Sequence, residues 1–158
     1  TRCDFSTVIP YKERLLERAY LRFIQGASEQ ASLEAFCMEH SSWLEDFSLF
    51  VVMKRRLDGK AWDQWPKEWR DRNLESLKAV KKECYDQLEK EKFCQYLFFK
   101  QWHALKAYCQ GKGVHLFGDL PIYVSFDSAD VWANSHLFKL DRQRRPTFVS
   151  GVPPDYFS

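Results

Sequence analysis

Between Gly118 and Trp132 the chain reads Gly118-Asp119-Leu120-Pro121-Ile122-Tyr123-Val124-Ser125-Phe126-Asp127-Ser128-Ala129-Asp130-Val131-Trp132, its densest mixture of carboxylates and aromatic rings. Carboxylates grip vicinal hydroxyls, and Tyr and Trp faces cover the apolar side of a pyranose ring. Asp119, Tyr123, Asp127 and Trp132 are therefore candidates for a sugar-binding site. Asp127, Ser128 and Asp130 also suit a plainer use, as the N-cap and first-turn acids of a helix through Trp132, and the spacing alone leaves both open. A second cluster closes the chain: Gly151-Val152-Pro153-Pro154-Asp155-Tyr156-Phe157-Ser158. Its two prolines stiffen the approach to Asp155, Tyr156 and Phe157, which suits either a loop that presents these side chains to a ligand or a stiff connection.

Other chemistries lack their residues. His40, His103, His115 and His136 are dispersed, and His40, His115 and His136 have no Asp or Ser at triad spacing. There is no G-x-S-x-G, phosphate-binding loop or G-x-G-x-x-G, and Gly111-Lys112-Gly113 precedes an apolar run, the wrong order for a dinucleotide site. The five cysteines, Cys3, Cys37, Cys84, Cys94 and Cys109, are scattered without a C-x-x-C; they read as small hydrophobes in a reducing cytosol, and no metal is expected. With 24 Lys+Arg against 22 Asp+Glu the formal charge is +2, too little for nucleic acid or an anionic membrane to be the main partner. Lys54-Arg55-Arg56 closes the longest apolar stretch well short of a membrane span. The opening Thr1-Arg2-Cys3-Asp4 has no apolar signal core and no initiator Met, so neither export nor a natural start is expected.

Six Trp and thirteen Phe demand a buried core, and two kinds of element are available to build it. In the first 112 residues 37 are charged, against 9 of the last 46, and the shorter part holds four of the six prolines. The first part reads as helices and the second as strand and loops. Pro10 suits a first helical turn, with Gly26 as the stop; Leu33, Phe36, Cys37 and His40 give one face of a short helix; Gly59 ends the next. Asn73 can cap a long helix through Leu77, Val80, Cys84 and Leu88. Its charged early part predicts exposure, and the apolar run from Phe93 to Phe99 predicts later burial. Trp62, Trp65 and Trp69 read as a packed corner. Val114 to Asp119 predicts a buried strand with Asp119 at its C-terminal end, where α/β folds place their chemistry. Leu137–Leu140 and Pro146–Val149 flank a polar turn and predict a hairpin.

These residues resemble the 4-α-glucanotransferases, also called amylomaltases or disproportionating enzymes, of the α-amylase superfamily. Gly118 to Val124 followed by Asp127-Ser128-Ala129-Asp130-Val131-Trp132 is similar to the family's signature after its third barrel strand, and Gly151 to Ser158 is similar to its active-site loop. Upstream, Val8-Ile9-Pro10 with Lys12, Trp43 to Phe47, Trp65-Pro66 and Gln95 to Phe99 with Gln101-Trp102 match in order. Family members often carry a Gly in the turn where this chain reads Asp141-Arg142-Gln143-Arg144-Arg145.

The resemblance implies an α/β fold: part of a (β/α)8 barrel dominated by a helical insertion, with about one barrel strand and a small β-hairpin. Residues 1–72 would form the helical insertion, and 73–158 the long helix, barrel strand and active-site loop segment. It implies a cytoplasmic, cofactor-free enzyme that transfers α-1,4-glucan segments between maltooligosaccharides by a retaining double displacement. Asp119, Tyr123, Asp127, Trp132, Asp155, Tyr156 and Phe157 would line the substrate. The nucleophile and acid/base would lie downstream, leaving no catalytic residue in this chain, which alone is expected to be inactive and to associate through exposed barrel edges. The alternative is a stand-alone helical carbohydrate-binding or interaction domain.

Overall fold

The computed structural model describes residues 3–26, 29–148 and 151. Seven α-helices lie among them: α1 (Phe5–Gln25), α2 (Gln30–Glu39), α3 (Leu44–Arg56), α4 (Lys67–Arg70), α5 (Leu74–Glu83), α6 (Tyr85–Gly111) and α7 (Ala129–Ala133), with 3-10 turns at Trp62–Gln64 and Ser135–Leu137. They fall into two compact units, Thr1–Ser48 with Cys84–Phe117, and Leu49–Glu83 with Gly118–Ser158.

In the first unit α1 begins where Asp4 can cap it. The Asp4 carboxylate accepts the Ser6 amide at 3.1 Å and the Ser6 and Thr7 hydroxyls at 2.6 and 2.7 Å. Those hydroxyls hold its pKa below the usual carboxylate value. This cap starts the helix one turn before the sequence suggests, so Pro10 falls inside it. Gly26 ends α1, its N–H donating to the Phe23 carbonyl. Helices α1 and α2 both pack on α6, enclosing Tyr20, Leu33, Phe36, Leu44 and Phe93. Phe93 meets Phe23 at 4.7 Å and Tyr20 at 5.6 Å, and the His40 ring meets Phe36 at 4.4 Å and Phe99 at 4.9 Å, which stand 5.4 Å from each other. Ion pairs Lys90–Glu17 and Lys100–Glu29 tie the rim.

The second unit collects four of the six tryptophans, Trp62, Trp65, Trp69 and Trp132. Helix α3 ends as Gly59 predicts: Asp58 and Gly59 take φ of 51° and 77°, and the Gly59 N–H returns to the Lys54 carbonyl at 2.9 Å. Asn73 caps α5 through its side-chain oxygen on the Ser76 amide at 3.0 Å, also as expected.

The structure corrects the α/β expectation, because no strand occurs among the described residues. The barrel strand expected at Val114–Asp119 is irregular backbone. A parallel strand takes its hydrogen bonds wholly from neighbouring strands, and none lies beside it among the described residues. Val114, Leu116 and Phe117 are accordingly exposed, Phe117 completely. The hairpin reduces to one antiparallel bridge, Leu140 to Pro146, where the proline has no N–H to extend a ladder. The turn is built instead by Asp141, whose Oδ1 accepts the amides of Gln143 and Arg145 at 2.8 and 2.9 Å.

The long helix is also corrected. It breaks at Cys84 (φ −105°, ψ 24°) into α5 and α6. Within α6 exposure follows the expectation only in part: Tyr85 and Asp86 are exposed and Phe93 is buried as expected, but Leu88 and Glu91 are buried early and Phe98, Trp102, Leu105 and Tyr108, later in the helix, are exposed. Burial follows where α1 and α2 cross α6 rather than its local hydrophobicity.

Candidate functional site

Helix α7 is one and a half turns long, too short to hold itself, and side chains fix it. Ser128 caps it, its hydroxyl accepting the Val131 amide at 3.3 Å, so the plainer capping use is realised at Ser128. Asp127 turns the other way. One carboxylate oxygen accepts the Lys54 ammonium from the last turn of α3, and the other accepts the Trp62 amide at 3.3 Å. Trp62 also donates its indole N–H to the Phe126 carbonyl at 2.8 Å, and its ring stands 5.2 Å from that of Phe126.

Trp132 is 1% exposed. Its indole N–H donates to the Trp69 carbonyl at 3.0 Å, the Arg72 guanidinium lies 4.2 Å over its ring, and Trp65 meets it edge-on at 5.7 Å. Phe50 packs on Trp65 at 5.2 Å, and Trp65 donates to the Lys60 carbonyl. Of the expected corner, Trp62 and Trp65 are buried and Trp69 is half-buried, and Trp132 joins them as a buried ring. Near its edge Arg70 pairs with Asp71 at 3.0 Å, and that hydrogen bond holds the Asp71 carboxyl below the usual value against the opposing effect of burial.

The structure places the candidate residues in two settings. Asp127 is half-buried and engaged from inside, and Trp132 is a core ring. Asp119 and Tyr123 lie on exposed backbone, Tyr123 donating its hydroxyl to the Gly151 carbonyl at 3.4 Å. Asp155, Tyr156 and Phe157 lie outside the described residues. An apolar groove of about 280 Å³, near the lower end for small-ligand clefts, is lined by Val124, Phe126, Val131, Phe138 and Phe148 with others; the Lys139 ammonium lies 4.8 Å over the Phe148 ring. Arg144, in the turn where family members often carry Gly, takes φ of 66°, a left-handed conformation that a glycine adopts without strain. Its guanidinium reaches the Ser135 hydroxyl and lies 3.9 Å from Asp71.

Sequence reasoning missed Lys54 and Trp62 as partners of the Asp127 carboxylate, and Trp62 as partner of the Phe126 carbonyl. They stand 73 and 65 residues from Asp127, and no periodicity links such distant positions. The only signals were the basic triplet Lys54-Arg55-Arg56 at a helix end and the clustering of three tryptophans over eight residues.

Comparison with known proteins places this arrangement. The chain is 43% identical to a 4-alpha-glucanotransferase of Aquifex aeolicus over 154 residues, which is 98% of this chain and 31% of that protein. It is 40% identical to one of Thermus thermophilus over 159 residues, covering 99% of this chain and 32% of the relative. A solved amylomaltase from Streptococcus agalactiae, in complex with acarbose, superposes with a TM-score of 0.91 at 35% identity, over 98% of this chain and 31% of that structure. The chain therefore spans about a third of the length of these relatives. The sequence profile described as 4-alpha-glucanotransferase matches from residue 1 to residue 158, and the chain belongs to that family.

Proposed function

We propose that the protein carrying this sequence transfers α-1,4-glucan segments between maltooligosaccharides, and that this segment lines the glucan rather than reacting with it. The observation that carries the reading is the family match over all 158 residues; the acarbose bound by the similar amylomaltase supports a glucan ligand. In a retaining transfer a carboxylate attacks the anomeric carbon while a carboxylic acid protonates the departing glucan oxygen. The acceptor's 4-hydroxyl then gives its proton back to that second carboxylate and displaces the enzyme ester. We assign both reacting carboxylates to the part of the family's length that these residues do not span.

Within this segment, Asp119 and Tyr123 would meet sugar hydroxyls and ring faces from exposed backbone. Asp127 and Trp132 would shape the cleft from beneath, and Asp155, Tyr156 and Phe157 would border it from the closing loop. The cytoplasm is the compartment we propose, supported by an odd number of scattered cysteines with no C-x-x-C among them.

The test is maltotriose disproportionation by the protein that carries this sequence, followed as released glucose with longer oligosaccharides. Transfer products in that assay are the expected result. Maltooligosaccharide binding with no transfer would favour the non-catalytic carbohydrate-binding alternative.

A further inference from the structure

We propose that Lys54 is a positioning residue for the 118–125 segment, acting through Asp127; this rests on the glucanotransferase reading above. Lys54 sits two residues before the end of α3, and its ammonium meets one oxygen of Asp127 while the Trp62 amide occupies the other. A carboxylate held on both oxygens from inside is better placed to anchor backbone than to grip a sugar hydroxyl. Trp62 reinforces the anchor one residue upstream, through its indole bond to the Phe126 carbonyl. Of the neighbouring basic side chains, Arg56 is directed elsewhere, to Glu83 at 2.9 Å and over the Trp69 ring.

The exposed residues Asp119 and Tyr123 therefore precede, by eight and four positions, a point of the chain that Lys54 fixes electrostatically. Binding groups on an irregular segment depend on such a fixed end, because a displacement of about 1 Å can cost up to about a hundredfold in rate or affinity. Lys54 touches no reacting atom; it sets where the glucan-facing segment ends.

The experiment compares K54M, K54R, D127N and the double variant K54M/D127N in the protein that carries this sequence, by maltotriose disproportionation and thermal melting. K54M should raise KM for maltotriose about tenfold with kcat within about twofold. K54R should restore KM, and the double variant should be no worse than D127N alone, since both changes remove one interaction. A purely structural role would lower kcat in step with the folded fraction and leave KM unchanged, and that result would overturn the proposal. So would additive effects in the double variant. If K54M fails to fold, D127N carries the same KM test. An active parent with unchanged KM in these variants sinks the role of Lys54 alone, whereas an inactive parent sinks the reading on which it rests.

Discussion

Residues 118–125 and 126–132 are consecutive in the chain and similarly rich in apolar side chains, yet the structure treats them in opposite ways. In 126–132 the Phe126 carbonyl, both Asp127 oxygens, the Ser128 hydroxyl and the Trp132 indole each have a partner, and Val131 and Trp132 are buried. In 118–125 Leu120 and Ile122 are 85% and 89% exposed and no regular structure forms. The difference does not come from hydrophobicity, since Ile122 is as apolar as Val131. It comes from whether a side chain or backbone group finds a partner on α3 or in the tryptophan corner. A frame with its polar groups satisfied, next to a segment with its apolar groups bare, is the arrangement expected where one part holds and the other meets a ligand.

The largest expected effect follows from that contrast. Trp132→Ala removes a buried ring together with an indole hydrogen bond and the seat of Arg72, and should cost about 3–5 kcal/mol of stability. Ile122→Ala, on the bare side, should change stability by about 0.5 kcal/mol or less. Denaturant melts of the two variants measure the gap directly, and equal losses would erase the distinction. Next in size, D127N should cost about 1 kcal/mol, because the amide still accepts from Trp62 but loses the charge facing the part-exposed Lys54; a melt against the parent in low and high salt checks it.

How much of this was legible in the sequence depended on the range of the cause. Caps and stops are local, so Asn73 and Gly59 were readable from residue type alone, and the face of Leu33 and Phe36 from periodicity. The strand at Val114–Asp119 was not decided locally, because a strand exists only through its neighbours. The exposure of α6 is legible only in part for the same reason: Phe93 is buried as its apolar run suggests, whereas Phe98, Trp102 and Leu105 are exposed because burial depends on where α1 and α2 cross. For the site, the residue types of Asp127 and Trp132 were visible, but their inward orientation depends on Lys54, Trp62 and Trp69, which lie 63 to 73 residues away.

A pH effect belongs to the first unit and sharpens the comparison by exclusion. Burial pulls the Lys92 pKa down, but the hydrogen bond from its ammonium to Glu89 and the charges of Glu89 and Glu45 more than offset this and leave it raised above 10.5. A raised pKa in the folded state means that this stabilisation is complete below the unfolded value near 10.5 and is lost as pH climbs through the folded value. Melting temperature should therefore fall above about pH 10.5, and Lys92→Met should flatten that decline without altering the exposure of 118–125. A parent and variant with identical alkaline profiles would contradict the assignment.

The smallest expected effect is at Arg144. Glycine there would relieve a positive φ but lose the contacts to Ser135 and Asp71 and add chain entropy, so Arg144→Gly should shift stability by about 0.5 kcal/mol or less in either direction. A melt showing more than about 1 kcal/mol of loss would make the Arg144 contacts more important than the turn geometry suggests.

Amide hydrogen exchange of the protein that carries this sequence, with and without a maltooligosaccharide, tests the division between frame and ligand-facing segment most directly. The amides of Val131 and Trp132, which donate to Ser128, should be protected in the free protein, and those of 118–125 should exchange fast and slow down on addition of glucan. Equal protection of the two segments in the free protein, or a glucan response confined to 126–132, would contradict the account.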